Sequence, residues 1–292
     1  LFEGTNDHGR MIFSLNVYQN NRRKSHFESI SNLYSTQTIE NCYNWDGISP
    51  LLGIKDDEGN WNICGHPDRI IKISPRELLI FARLFDANDN WREAKLPIIH
   101  AKTQLRVLQL FAEQEHYLGD YSDEIFTTTF WNETNAQDDG ILSDHIAFPE
   151  TMNNCIYVGA YCGQANPMFQ TVRQLYKSSN DYDLIDLESI PDNYIPRSKY
   201  QIGCSVQEYI AKVPTTPWNK KCNSQYALVN REFVGIAAER TLMSCILPPG
   251  AAYINTLFGV VMPQTDRMVV LNACENSIPY DFFVKTLGKN HI

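Results

Sequence analysis

Asp68, Glu93 and Lys95 are the nearest approach to a catalytic constellation in this sequence. Pro67-Asp68 is followed by Glu93-Ala94-Lys95. Two carboxylates and a lysine of this kind could hold Mg²⁺ and activate water, the basis of a metal-dependent nuclease. The pattern is short and degenerate, and plain surface charge competes with it. Cys42, Cys64 and His66 are of zinc-ligand type, but a structural zinc site takes four ligands in paired short spacings, and no fourth stands nearby. Asp183, Asp186 and Glu188 read as a solvated acidic loop. A second set is cationic: Arg197, Lys199, Lys220, Lys221, Arg231, Arg240, Lys285 and Lys289, spaced by aromatic residues. Such donors can anchor phosphates and reach base edges, against a default reading of solvated charge. Lys285 and Lys289 bracket Gly288 at a helix end, where backbone can approach phosphate closely. Arg240 opens an apolar run and needs a partner if buried, either at Glu239 or at a buried carboxylate.

Several motifs are missing. Pro248-Pro249 follows Leu247 and precedes Gly250, so the Asn/Asp-Pro-Pro-Tyr that lines an adenine pocket is not here. Nor is there a Gly-x-Gly-x-x-Gly loop, a phosphate-binding Gly-x-x-x-x-Gly-Lys-Ser/Thr loop or a Gly-x-Ser-x-Gly elbow.

The elements that would position these residues centre on residues 228–259. Thr241 to Leu247 reads as a central strand, ended by Pro248-Pro249-Gly250, and a second apolar run from Ala251 to Met262 follows. Two apolar runs across such a break are core segments joined by a tight reversal. Upstream, Ile70 to Ile73 reads as a strand. Ser74-Pro75-Arg76-Glu77 is a helix start with a capping box. A second helix is expected from about Ala101 to His116, with Leu105, Leu108, Phe111 and Ala112 on one face. Ile125 to Trp131 alternates like a strand, and the polar run Asn132 to Asn135 follows it. Ile156 to Val158 is a short strand leading into a loop, Gly159 to Pro167, and Asp181 to Pro191 is a strand edge plus loop. Ser205 to Glu208 opens a short helix closed before Pro214. A last helix, Tyr280 to Leu287, is capped by Gly288. Arg22-Arg23-Lys24 reads as a solvated loop, and Met11 to Phe13 as a short apolar run.

The chain has 292 residues, 43% hydrophobic and 20% charged, an ordinary globular composition. No window approaches the length of a membrane span, and the first residues lack a signal peptide. A start at Leu1 rather than Met reads as a fragment of a longer polypeptide. Eight cysteines are irregularly spaced, with no Cys-x-x-Cys. That suits buried thiols in a reducing cytoplasm better than a disulfide framework. The net charge of −9 is uneven: residues 1–150 hold 13 Lys+Arg against 23 Asp+Glu, and residues 151–292 hold 12 against 11. A nucleic-acid surface is therefore better placed in the second half, although the overall acidity argues against a basic footprint.

Eight segments carry a resemblance: LFEG at Leu1, LPIIHA at Leu96, TTTFWNETNAQDDG at Thr127, YVGAYCGQANP at Tyr157, YDLIDLESIPDNYIPRSKY at Tyr182, ALVNREFVG at Ala227, ERTLMSCILPPGAAYINT at Glu239 and PYDFFVKTLGKNHI at Pro279. In order and spacing they resemble the part downstream of the methyltransferase motifs in large single-chain type II (IIS/IIG) restriction–modification proteins. In these, endonuclease, adenine-specific DNA methyltransferase and target recognition share one polypeptide. A looser likeness extends to phage-defence methyltransferases. The resemblance implies a parent that recognises double-stranded DNA, methylates adenine and cleaves unmodified DNA, using S-adenosylmethionine and Mg²⁺. It implies no cofactor in the present segment. Its partners would be DNA and the methyltransferase and nuclease domains of the same polypeptide, with no membrane. One departure falls at Asn166 to Arg173, where Gln170 replaces the family's lysine and weakens a phosphate role for that loop. A stop at Ile292 implies a missing C-terminal piece.

The expected fold is mixed α+β: a strand-rich core in the second half with peripheral helices, and a smaller α+β part before it. Residues 1–118 would form an acidic packing region and residues 119–292 a DNA target-recognition domain. The alternative readings are an interaction scaffold packing on the methyltransferase domain and a nuclease built on Asp68, Glu93 and Lys95.

Overall fold

A computed structural model of the chain describes residues 14–18, 26–235, 238–288 and 291. Met11 to Phe13, Arg22 to Lys24 and Lys289 lie outside them. Helices and strands both contribute, and the strands gather into several small sheets without a barrel, which is a mixed α+β class.

The first region is small. β1 (Phe27–Ser29) pairs antiparallel with β2 (Ile71–Ile73), with α1 (Gln37–Tyr43) between them in sequence. Arg69, just before β2, is 1% exposed. Its guanidinium donates to the carbonyls of Cys64 at 2.7 Å, Ser31 at 3.1 Å and Asn32 at 3.0 Å, satisfying a charge that burial would otherwise penalise heavily. α2 (Pro75–Asp86) begins at the expected capping box, where the Glu77 carboxylate accepts the Ser74 N–H at 2.9 Å. α3 (Lys102–Ala112) is a turn shorter than expected. Glu113 to His116 carry no apolar side chain to hold another turn against the core formed by Ile71, Ile73, Phe81, Ile99 and Leu108.

A 3-10 segment, Leu118–Glu124, follows. The second region contains β3 (Phe126–Thr128), α4 (Glu133–Asp138), β4 (Leu142–Ala147), β5 (Ile156–Tyr157), β6 (Gln170–Val172), β7 (Tyr182–Leu184) and β8 (Ser198–Ile202). Then come α5 (Val206–Lys212), β9 (Ala227–Arg231), β10 (Ser244–Leu247), β11 (Ala252–Tyr253), β12 (Leu257–Val261), α6 (Thr265–Glu275) and α7 (Ile278–Thr286). The largest sheet is antiparallel, in the order β10-β9-β12-β3. β4 pairs with β8, β6 with β7, and β11 runs parallel to β5.

The organising stretch splits more finely than its apolar runs imply, and its first run, expected as a central strand, forms an edge of the sheet, with β9 and β12 at its middle. β10 starts only at Ser244, because the Thr241 and Leu242 N–H groups are spent on the Asp281 carboxylate, both at 2.7 Å. The run after the Pro-Pro-Gly break divides into β11, which leaves the sheet, and β12, which rejoins it on the far side of β9. Gly250 makes that reversal at φ +96°, and a Cβ there would lie 2.0 Å from Asn153 Oδ1. The strand expected to reach Trp131 stops at Thr128, and Phe130 adopts φ +57°. The polar run after it is a helix start, with Asn132 capping α4 through the Asn135 N–H at 3.0 Å.

Alternation along β9 divides the interior. Leu228 faces Met268 and Leu271 of α6, and Val229 faces the large core with Cys245 and Leu257. Each such fully buried aliphatic side chain contributes about 1.5–3 kcal/mol. α7, a late element, reaches back to the first region. Phe283 stacks on Phe85 at 5.6 Å and lies 5.2 Å from Phe111, and the Ile98 N–H donates to the Thr286 carbonyl at 2.8 Å. Among the described residues no helix is long and apolar enough to cross a membrane.

Candidate functional site

Segments far apart in sequence meet at an open cleft of about 350 Å³. Val158, Gly159, Ala160, Ile254 and Thr256 are among its lining residues. Tyr176, Tyr182, Tyr200 and Phe233 supply aromatic rings, and Glu133, Lys199 and Arg231 are the charged lining groups. All of these except Tyr176 fall within five of the segments that carry the family resemblance.

The fold builds the cleft by fastening short pieces of backbone to one another. Glu133 is the first residue of α4, and its N–H donates to Asn255 Oδ1 at 2.8 Å. The Trp131 N–H donates to the Tyr253 carbonyl at 3.2 Å, and the Asn255 N–H donates to the Trp131 carbonyl at 2.9 Å. Gly159 donates to Thr256 Oγ1 at 2.9 Å, and a Cβ on it would sit 2.8 Å from the Thr256 carbonyl oxygen, so only glycine allows this approach. β8 is pinned residue by residue. The Arg197 carbonyl accepts from Thr171 Oγ1 at 3.0 Å, Ser198 Oγ donates to the Ile156 carbonyl at 3.1 Å, and the Lys199 N–H donates to the Tyr161 hydroxyl at 2.8 Å.

That anchoring holds Lys199 in a fixed polar setting. Its ammonium lies 3.6 Å from Glu133 Oε1, 5.1 Å from the Tyr176 ring centre and 4.8 Å from that of Tyr200. The Tyr200 hydroxyl also donates to Glu133 Oε1. Burial first, and then the Glu133 carboxylate, push the Tyr200 phenol well above its ordinary pKa. Burial does the same to Tyr182, helped by Tyr176. Both remain neutral donors at physiological pH. Arg231 Nε donates to the Cys162 carbonyl at 2.7 Å. Burial lowers its pKa, although a guanidinium stays charged.

The other nominated cations are placed elsewhere. Arg197 Nη1 donates to the Val172 carbonyl at 2.7 Å, and its guanidinium lies over Phe148 at 5.0 Å. Lys221 caps the end of α5, donating to the Ala211 and Val213 carbonyls at 3.1 and 2.8 Å, while Lys220 is exposed. Arg240 donates to the Asn276 carbonyl at 2.8 Å and lies 3.6 Å from Asp281, so its partner is a buried carboxylate of α7 rather than Glu239. Lys285 donates to the Ala238 carbonyl at 3.0 Å. Of the set, Lys199 and Arg231 are brought together at the cleft.

Asp68, Glu93 and Lys95 are not joined to one another by any ion pair. Asp68 pairs with Lys102 at 3.2 Å, Lys95 pairs with Asp86, and Glu93 is exposed. Among the described residues no three His, Cys, Asp or Glu side chains converge as a metal-ligand group, Cys42, Cys64 and His66 included. All eight cysteines are free thiols, and Cys42, Cys155, Cys162, Cys222 and Cys245 are buried. The cleft's one carboxylate, already paired with Lys199, does not fit Mg²⁺, which takes near-octahedral oxygen ligation.

Glu133, Tyr176, Tyr182, Tyr200 and Phe233 escaped sequence reasoning as site residues. The available signal was Asn132, a cap residue that fixes Glu133 at a helix start. A comparison with protein-family models, with curated proteins and with solved structures gives no match to this chain.

Proposed function

We propose that the chain is the DNA target-recognition portion of a cytoplasmic type II restriction–modification protein, whose other domains methylate adenine and cleave unmodified DNA with S-adenosylmethionine and Mg²⁺. One observation carries the reading. Five of the resembling segments, spread over more than a hundred residues, lend their side chains to one cleft lined by aromatic rings and two cations. Cations anchor phosphate and rings contact bases, which is the donor set that nucleic-acid recognition needs. The site lies in the half whose charge is nearly balanced, where phosphate is least repelled.

The test is fluorescence anisotropy of the chain with a labelled mixed-sequence duplex at rising salt. Binding should weaken steeply with salt, and Lys199→Ala should weaken it further. No binding to duplex at low salt overturns the proposal.

A second reading, that residues 1–118 also pack on the methyltransferase domain of the same polypeptide, draws on a different observation. Tyr43, Ile48, Trp61 and Ile63, all between positions 43 and 63 of the acidic region, are exposed, and apolar side chains left to solvent in this way mark interfaces where they adjoin. Ile48→Asp should weaken co-purification with a separately expressed methyltransferase domain, and an unchanged yield counts against it.

A further inference from the structure

The cleft is built for a ligand more specific than a phosphate backbone. Its charged groups are two cations against one carboxylate, a balance that draws an anion. Its rings still offer surface: Phe233 is 63% exposed, and Tyr176 and Tyr182 are half-buried. Glu133 keeps acceptor capacity as well. Tyr200 and Lys199 both meet Oε1, and an ionised carboxylate has about four lone-pair sites, so Oε2 can accept from a further donor. The volume of about 350 Å³ lies within the roughly 300–1,000 Å³ range of small-ligand sites.

A flat ring bearing an exocyclic amine, joined to a phosphate, meets all three requirements. That is a nucleotide. Inside a duplex a base has both faces stacked and its Watson–Crick edge paired, so the rings of the cleft can reach it only once it has left the stack. We propose that the cleft receives one nucleotide unstacked from a DNA strand. The base lies against Phe233 and the tyrosine rings, its amino group donates to Glu133 Oε2, and its phosphate is drawn by Lys199 and Arg231. The proposal rests on the DNA-recognition reading and adds the unit that is recognised. It also predicts a preference for bases with an exocyclic amine: carboxylates accept from such groups, and thymine has none.

The test compares the whole chain's affinity for a mixed-sequence duplex, the same duplex with a mismatched bubble, and the single strand. dCMP serves as competitor, and oligo(dC) and oligo(dT) are run as a pair. Mismatched and single-stranded bases cost less to extrude, so the bubble and the single strand should bind more tightly than the perfect duplex. Phe233→Ala should weaken bubble binding about tenfold, the scale of one lost base stack, with melting unchanged because the ring is exposed. The wild type should favour oligo(dC) over oligo(dT), and Glu133→Gln should level the two. Competition by dCMP at concentrations matching the strand's affinity assigns the cleft to free nucleotides and overturns a strand as its ligand. Binding to DNA that Phe233→Ala, Tyr176→Ala and Glu133→Gln all leave unchanged overturns this inference alone. Failure to bind any DNA by a cooperatively melting chain overturns both this inference and the reading beneath it.

Discussion

The corner between α6 and α7 and the cleft beside β8 hold cationic side chains in opposite circumstances. At the corner, Arg240 ends on the Asn276 carbonyl, and Asp281, 5% exposed, gathers two N–H groups and the Arg240 guanidinium. At the cleft, Lys199 rests on two aromatic rings and one carboxylate oxygen, and the site around it stays open. The difference shows what turns a cation into a fastener. Carbonyls left open at a helix junction need donors, and a nearby arginine is spent on them. Arg231 lines the same cleft yet ends on the Cys162 carbonyl, so within the cleft it is Lys199, resting on rings and a carboxylate, that makes the contrast with Arg240.

The contrast breaks most readily at Asp281. Asp281→Ala leaves Arg240 and two N–H groups without their acceptor, and breaking a buried pair of this kind costs about 3–5 kcal/mol. Urea unfolding should show that loss, and a cost below about 1 kcal/mol would remove the corner from the structural class. Next comes Phe283→Ala, which empties the stack on Phe85 and Phe111. It should cost about 3 kcal/mol, the low end for a core phenylalanine because the ring is only partly enclosed. Since Phe283 joins the last helix to the first region's core, the two regions should melt in one transition in the wild type and separate in the variant, as read by calorimetry.

Smaller effects sharpen the other side. Lys199→Ala should change stability by no more than about 1 kcal/mol, yet lower the salt slope of DNA binding by about one unit if Lys199 meets a phosphate. A stability loss as large as that of Asp281→Ala would make Lys199 a fastener too. The last case is buried Glu275, whose carboxylate accepts from Asn230 Nδ2 at 3.2 Å. Burial raises its pKa above the usual 4.5, opposed by hydrogen bonds from Asn230 and Ser244. The folded state then holds a proton that the unfolded chain has released, so this group's contribution falls as pH rises from 4.5 through its folded pKa. Glu275→Gln should be more stable than the wild type at pH 7, with the advantage vanishing below about pH 4. Parallel pH–stability curves would show that Glu275 does not titrate abnormally.

Much of the local structure was legible because it is decided by neighbours in sequence. Ser74-Pro75-Arg76-Glu77 starts a helix wherever it occurs, the Pro-Pro-Gly break ends a strand, and Gly288 terminates α7 at φ +63°. The apolar run Ile70 to Ile73 likewise placed β2 on the core, whereas β9, a strand at the middle of the largest sheet, was not read from its residues. The ends of elements were less legible. Residues 241–243 look as strand-like as 244–247, but a carboxylate forty positions away claims two of their N–H groups.

The sequence by itself determined the class of fold, most helix starts and the concentration of acidity in the first half, because composition, capping and periodicity act over a few residues. Tertiary structure alone decided which cations are fasteners and which line a cleft, that α7 returns to the first region, and that Glu133 faces Lys199 and Tyr200 from 66 and 67 positions away. A charged side chain takes its role from the acceptors that folding brings within about 3 Å, and those acceptors are distant in the chain.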